Sequence, residues 1–205
     1  MSPKICILNY GSGNVKSVYN AFNHIGMDVN VSNDAKIIKD STHLVLPGVG
    51  AFRASVKKIF NSLPMELIEE EVFQKNKPFL GICVGMQVLT EFGLEFGITK
   101  GFGWLEGHVR KMISEAEVLP HVGWNQLNFT GDNELLKGIS QESYFYFVHS
   151  YILSNINSDE LIATSQYSEI FPAVVQKQNI FGVQFHPEKS QKSGLKLLSN
   201  FSTVR

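Results

Sequence analysis

Two short segments hold the residue types that do covalent chemistry. The first is Gly81-Ile82-Cys83-Val84-Gly85. An apolar run ends there in a cysteine, and a helical pattern begins one residue later. The spacing of glycine, nucleophile and glycine is that of a nucleophile elbow, a sharp strand-to-helix turn that presents one side chain above a sheet. Glycines suit the flanking positions because bulky neighbours would collide across so tight a turn, while the nucleophile itself holds a strained backbone. A helix opening there offers free backbone N–H groups and a positive dipole end. Such a setting favours thiolate over thiol and can receive an oxyanion. Cysteine is also among the most buried residue types, so the turn alone leaves a plain core cysteine open. Cys6 has no such flanking glycines and reads as core.

A thiol nucleophile wants a base and a third group to orient that base. The second segment, Phe181-Gly182-Val183-Gln184-Phe185-His186-Pro187-Glu188, reads as a buried strand ending at a proline. His186 and Glu188 are two apart, so an extended backbone turns both to one face. Glu188 then holds the imidazole tautomer while His186 acts as base. The competing reading is a histidine at a strand end beside a solvated carboxylate. Of the other histidines, His24 and His43 look ordinary, His108 begins a strand, and His121 and His149 have more distinctive settings.

These side chains need a scaffold, and the first half of the chain supplies an alternating one. Residues 4–9, 28–32, 44–48 and 79–82 read as strands. Residues 15–25, stopped by Gly26, then 52–60, 65–75 and 84–92 read as helices. That alternation predicts an α/β fold with a mostly parallel sheet flanked by helices. After about Gly93, strand-like runs dominate, at 108–113, 144–153, 161–166, 173–178 and 180–185. They suggest antiparallel strand additions to the same sheet in the C-terminal half, closed by a helix over 193–201. No repeat, linker or low-complexity tract interrupts the chain, so residues 1–205 read as one domain.

Composition narrows the function classes. A formal net charge of −1 gives no chain-wide pull toward nucleic acid or an anionic membrane. No apolar stretch approaches the roughly 20 residues a membrane helix needs, and the N-terminus lacks a signal-peptide pattern. With 2 cysteines in a chain of 205 residues, no disulfide staple is needed, and a reducing, cytoplasmic setting is expected. Gly11-Ser12-Gly13 follows the first strand, but Lys16 stands where a dinucleotide fingerprint needs its third glycine. No P-loop, C-x-x-C or H-E-x-x-H spacing occurs, so neither a cofactor nor a metal is expected.

The segments GICVGMQ (81–87) and GVQFHPEKS (182–190) together strongly resemble the class I, triad-type glutamine amidotransferases. Further segments, NYGSGN (9–14), LPGVGAF (46–52), PHVGWN (120–125) and YFVHSY (146–151), are similar to the glutaminase subunits of imidazole glycerol phosphate synthases. The resemblance spans essentially the whole chain. It implies that Cys83 attacks the side-chain amide of glutamine, that His186 moves the proton, and that Glu188 orients His186. It implies an oxyanion hole from the backbone of Val84 and of Val49 and Gly50, and glutamine contacts from Gln87, Glu95, Ser150 and Tyr151. It also implies a partner: a cyclase subunit of (β/α)8 barrel fold that receives the ammonia in histidine biosynthesis. His121, Trp124, Asn125 and His149 belong either near that interface or to internal packing. Gly48 and Gly50 tolerate both signs of φ, so the oxyanion hole is expected to be incomplete until the partner and its ligand bind.

One segment departs from the family pattern. Trp104 stands where ordinary members carry an aliphatic residue, and Glu106 where they carry a proline. The departure leaves the glutaminase chemistry intact and bears on the partner, since relatives in surface-sugar pathways feed ammonia to a different enzyme. A DJ-1-like cysteine hydrolase would share the turn but not the Gln87 spacing or the His-Pro-Glu motif. A non-catalytic glutamine-binding subunit would not need all three triad positions filled.

Overall fold

The computed structural model describes residues 2–115 and 117–205. The first half alternates as the periodicity predicts: β1 (Lys4–Leu8), α1 (Val15–His24), β2 (Asp28–Ser32), α2 (Ala35–Asp40), β3 (His43–Gly48), α3 (Phe52–Ser62), α4 (Met65–Glu69), β4 (Phe79–Cys83) and α5 (Val84–Gln87). α4 widens into a π-helical turn over Glu70–Gln74. The short α2 has too few residues for a legible period. It is nucleated by Asp34, whose carboxylate accepts from the N–H groups of Lys36 and Ile37 at 2.8 and 3.2 Å.

The second half contributes β5 (Phe92–Gly93), β6 (Thr99–Lys100), β7 (His108–Lys111), β8 (His121–Gln126), β9 (Tyr144–His149), β10 (Tyr151–Ser154), β11 (Leu161–Gln166), β12 (Ile170–Lys177), β13 (Ile180–Val183) and α6 (Gln191–Phe201). The main sheet runs β11-β12-β13-β4-β3-β1-β2. Its five strands from β13 to β2 are mutually parallel. β12 and β11 then add antiparallel, giving the expected mixed α/β sheet.

Three local expectations are corrected. Not every late strand joins the main sheet: β10-β7-β5-β6 form a second sheet and β8 pairs with β9 in a third. The single strand expected over 144–153 is split at Ser150, whose carbonyl accepts the Met112 N–H at 2.9 Å, so β10 pairs with β7 while β9 pairs with β8. The helix expected over 84–92 lasts one turn. Beyond Gln87 its carbonyls are claimed from outside: Val88 by Phe102, Leu89 by Trp104 and Leu105, and Thr90 by Gly103. Those donors hold residues 101–105 against the end of α5, which blocks its propagation.

A contiguous hydrophobic core runs from Ile5 to Val204. Among the described residues, no helix is long and apolar enough to cross a membrane. Parallel neighbours in a sheet all end at the same edge, and ligands favour that edge in α/β folds. Register places Gly48 opposite Cys83 and Val183 opposite Ile82. The segments that follow β3, β4 and β13 therefore emerge side by side, which sequence separations of 35 and about 100 residues do not reveal.

Candidate active site

Cys83 closes β4 with φ +56° and ψ −112°, a conformation few L-residues adopt. The turn is as tight as its glycines imply. A Cβ on Gly81 would lie 2.5 Å from the Gly85 carbonyl oxygen, and one on Gly85 would run into the Leu46 carbonyl. Cys83 is unpaired, as is Cys6. Cys6 lies fully buried in β1, and burial pushes its thiol up to about 11 against the opposing pull of Lys77.

His186 follows β13, and its N–H donates to the Tyr146 carbonyl of β9 at 2.9 Å. Its Nδ1 lies 2.8 Å from Glu188 Oε1, within a pair whose side chains are almost wholly withdrawn from solvent. The turn carrying both is pinned by Ser190, whose Oγ donates to the His186 carbonyl at 2.6 Å and accepts the Tyr146 N–H at 2.9 Å. His186 Nε2 is buried with no hydrogen-bond partner among the described residues. Burial opposes the imidazolium, but the Cys83 sulfur and the Glu188 carboxylate outweigh it and lift the His186 pKa to about 10.

A cavity of about 290 Å³ opens above the nucleophile. Cys83, Val84 and His186 form its reactive side, Val49 and Gly50 its loop side, and Gln87, Glu95, Ser150 and Tyr151 the remainder, with Val148 and His149 between them. Every residue predicted for the site lines this cavity except Glu188, which sits behind His186. Glu95 Oε2 accepts the N–H of Phe52 at 2.7 Å, serving as the cap that Ala51 cannot provide for α3. Burial and then the Glu95 charge raise the Tyr151 phenol above its ordinary range. Gln87 Nε2 donates to the Tyr151 carbonyl at 2.9 Å and to Gln184 Oε1 at 3.0 Å.

The loop after β3 is exposed at Val49 and Gly50, and Gly50 has φ +93°. It is buttressed by the Gly11–Gly13 turn. Tyr10 donates its hydroxyl to the Pro47 carbonyl at 2.9 Å, and Ser12 Oγ reaches the Val49 carbonyl at 3.5 Å. Gly13 has no room for a Cβ beside that same Pro47 carbonyl.

Several contributors were not read from the sequence. Asn14 donates to Glu188 Oε1 at 3.1 Å across 174 positions, and nothing local signals that contact. Gln184 stands two before His186, but the chain bends at residues 184 and 185 once β13 has ended, so strand alternation does not place it. His121 and His149 are both buried, His121 stacked between Phe147 and Tyr167 and His149 against Phe171 and the cavity. His121 Nδ1 lies 3.2 Å from His149 Nε2, and His149 Nδ1 lies 3.1 Å from the Tyr151 carbonyl. Burial, then the neighbouring His121, drives His149 down to about 3, and burial alone takes His121 to about 4. Trp124 stays exposed, while Asn125 is half-buried and donates its amide to the Gln166 carbonyl. Trp104 turns inward among Phe73, Phe79 and Phe102, so that departure from the family pattern is a packing difference, while Glu106 is exposed.

A strained cysteine beside a carboxylate-held imidazole can carry out acyl transfer through a thioester. Comparison with known proteins agrees with that chemistry. The family model described as "Glutamine amidotransferase class-I" matches residues 6–204. The chain is 43% identical over 204 residues to the "Imidazole glycerol phosphate synthase subunit HisH" of Salinibacter ruber, covering 97% of this chain and 93% of that protein. It is 44% identical over 200 residues to the protein of the same name in Caldanaerobacter subterraneus, covering 98% of each. Among solved structures, PurLQS from Thermotoga maritima superposes with a TM-score of 0.74 at 17% identity over 98% of both chains. A glutamine amidotransferase from the same organism gives 0.70 at 16% identity, covering 100% of both chains. At those identities the two structures speak for the fold alone.

Proposed function

The chain belongs to the class I glutamine amidotransferases, and from that premise we propose that it is the glutaminase subunit of an imidazole glycerol phosphate synthase, built as one domain over residues 1–205 and acting in the cytoplasm. Cys83 Sγ attacks the side-chain carbonyl carbon of glutamine. His186 Nε2 takes the thiol proton and delivers it to the departing ammonia. Glu188, itself held by Asn14, keeps a proton on His186 Nδ1, so that Nε2 is the nitrogen that exchanges its proton with Cys83 and the leaving group. The resulting γ-glutamyl thioester is hydrolysed by water, with His186 again as base, to give glutamate. Val84 N–H and a group of the Val49–Gly50 loop receive the oxyanion. Gln87, Glu95, Ser150 and Tyr151 hold the substrate.

The observation that supports this reading best is the single cavity onto which Cys83, His186, Gln87, Glu95 and Tyr151 all open. Ammonia then passes to a cyclase subunit of (β/α)8 fold in histidine biosynthesis. The Val49–Gly50 loop is exposed and contains a glycine at positive φ, so we place the partner's control there: docking completes the oxyanion hole. Loss of one oxyanion donor typically costs about a hundred- to a thousand-fold, enough to keep the isolated subunit slow.

The test is glutamate release from glutamine, with and without a cyclase subunit. The expected result is low activity alone and strong stimulation in the complex, with both abolished by Cys83→Ser. Full activity of the isolated chain would remove the gating, and release persisting in Cys83→Ser would remove the nucleophile assignment.

A further inference from the structure

A hydrogen-bond relay of fixed direction runs along the wall of the cavity and ends on the nucleophile. Its anchor is the Tyr151 carbonyl, which can only accept. It receives Gln87 Nε2 at 2.9 Å and lies 3.1 Å from His149 Nδ1. The Gln87 amide is thereby oriented, because its nitrogen must face Tyr151. The same nitrogen donates to Gln184 Oε1 at 3.0 Å. Gln184 has its oxygen committed and must turn its own nitrogen the other way, toward Cys83 Sγ at 3.8 Å. One obligate acceptor thus fixes the polarity of two side-chain amides, which would otherwise be free to present either end.

Gln184 is fully buried in an apolar segment between Val183 and Phe185. Its Nε2 has no partner among the described residues other than the Cys83 sulfur, and a buried donor is rarely left unpaired. We propose that Gln184 is a further catalytic residue, whose amide N–H, aimed by Gln87 and the Tyr151 carbonyl, stabilises negative charge on the Cys83 sulfur. A hydrogen bond to a charged acceptor is stronger than one to a neutral group. The contact therefore gains strength as the thiol gives up its proton to His186, and again when the thioester breaks and returns a thiolate. The proposal rests on Cys83 being the nucleophile of the glutaminase reading, and it gives the reacting sulfur a polar partner distinct from its base.

The measurement is the rate of Cys83 alkylation by iodoacetamide at neutral pH in the isolated chain. Peptide mass mapping separates Cys83 from Cys6, and glutamate release by the complex is followed in parallel. Gln184→Met keeps most of the volume and removes the donor. It is expected to slow alkylation about three- to tenfold, because the sulfur loses the donor that stabilises its developing charge. kcat for glutamate release should fall with KM little changed. Gln184→Glu keeps the acceptor for Gln87 and turns a carboxylate oxygen to the sulfur, so it should be slower still. Gln87→Met leaves Gln184 in place but frees its amide to rotate, and should slow alkylation by a smaller factor, roughly twofold. Alkylation at the wild-type rate in a folded Gln184→Met would overturn the proposal. Should that variant fail to fold, unchanged alkylation in Gln87→Met and Gln184→Glu would overturn it by the same readout. A wild-type complex that releases no glutamate would instead sink the glutaminase reading and leave the alkylation comparison standing.

Discussion

Two buried histidines line the same cavity, and they are tuned in opposite directions. His186 has the Glu188 carboxylate at 2.8 Å and the Cys83 sulfur beside it, and its pKa is lifted to about 10. His149 has a backbone carbonyl at 3.1 Å and another imidazole at 3.2 Å, and its pKa is driven down to about 3. Burial penalises the imidazolium in both. What separates them is whether a formal negative charge answers that penalty. An imidazole among neutral partners becomes a rigid dipole, with Nδ1–H given to Tyr151 and Nε2 accepting from His121. An imidazole held by a carboxylate becomes a proton carrier. The cavity thus has a chemical wall and a structural wall, and a histidine in each.

The largest way to break this contrast is Glu188→Gln. Without the carboxylate, His186 should move toward the His149 range, and glutamine turnover should fall roughly a thousand- to ten-thousand-fold, the scale seen when a triad carboxylate is neutralised. An NMR titration of the two imidazoles beside a kcat measurement would check both halves. A His186 still titrating near 10 would end the comparison.

Asn14→Ala comes next. It removes the 3.1 Å bond that steadies Glu188 but leaves the charge in place. Turnover should drop about tenfold, the kinetic equivalent of one lost hydrogen bond to a charged group, with KM for glutamine unchanged. A rise in KM alone would mean that Asn14 serves binding rather than orientation.

Stability against pH should separate the two walls. His186 is raised above its ordinary 6.5, so its contribution is complete below about pH 6.5 and is lost as pH rises through about 10. His121 and His149 are lowered to about 4 and about 3. Their contribution is present above about pH 6.5 and is lost as pH falls through those values. Thermal unfolding should therefore show a loss at each end with separate owners. His121→Phe, which retains the stack on Tyr167 and Phe147, should weaken the acid limb and leave the alkaline limb alone. It leaves His149 Nε2 without its donor, at a cost of about 1 to 3 kcal/mol. Turnover should stay within about threefold of wild type, the smallest effect in the series. A large loss of turnover would promote the structural wall to a chemical one.

The legibility of these features follows from their range. Cys83 was readable because an elbow is written in five consecutive residues. Glu188 does meet His186, but not by strand alternation: β13 ends at Val183 and Pro187–Lys189 form a 3-10 turn, which brings the carboxylate back to Nδ1. The parallel core was readable because strand and helix periods alternate through residue 83. Asn14 was not, because its partner lies 174 positions away and no short-range period connects them. The end of α5 was misjudged for a similar reason: residues 84–92 have helical spacing, but carbonyls from Val88 to Thr90 are taken by residues 102–105. β9 and β10 looked like one strand because apolar alternation continues across Ser150, and only the pairing partners separate them. His121 and His149 stood out as unusual, yet sequence could not tell an interface from a core, since an aromatic cage around a neutral imidazole is assembled from distant strands.

The central claim, that Cys83 forms the acyl-enzyme with His186 and Glu188 as its proton relay, is tested most directly by acid-quenching the complex during glutamine turnover and mapping the covalent adduct by mass. One γ-glutamyl group should appear on the peptide carrying Cys83, accumulating in the wild type and absent in Cys83→Ala. An adduct on another residue, or steady glutamate release from Cys83→Ala, would contradict it.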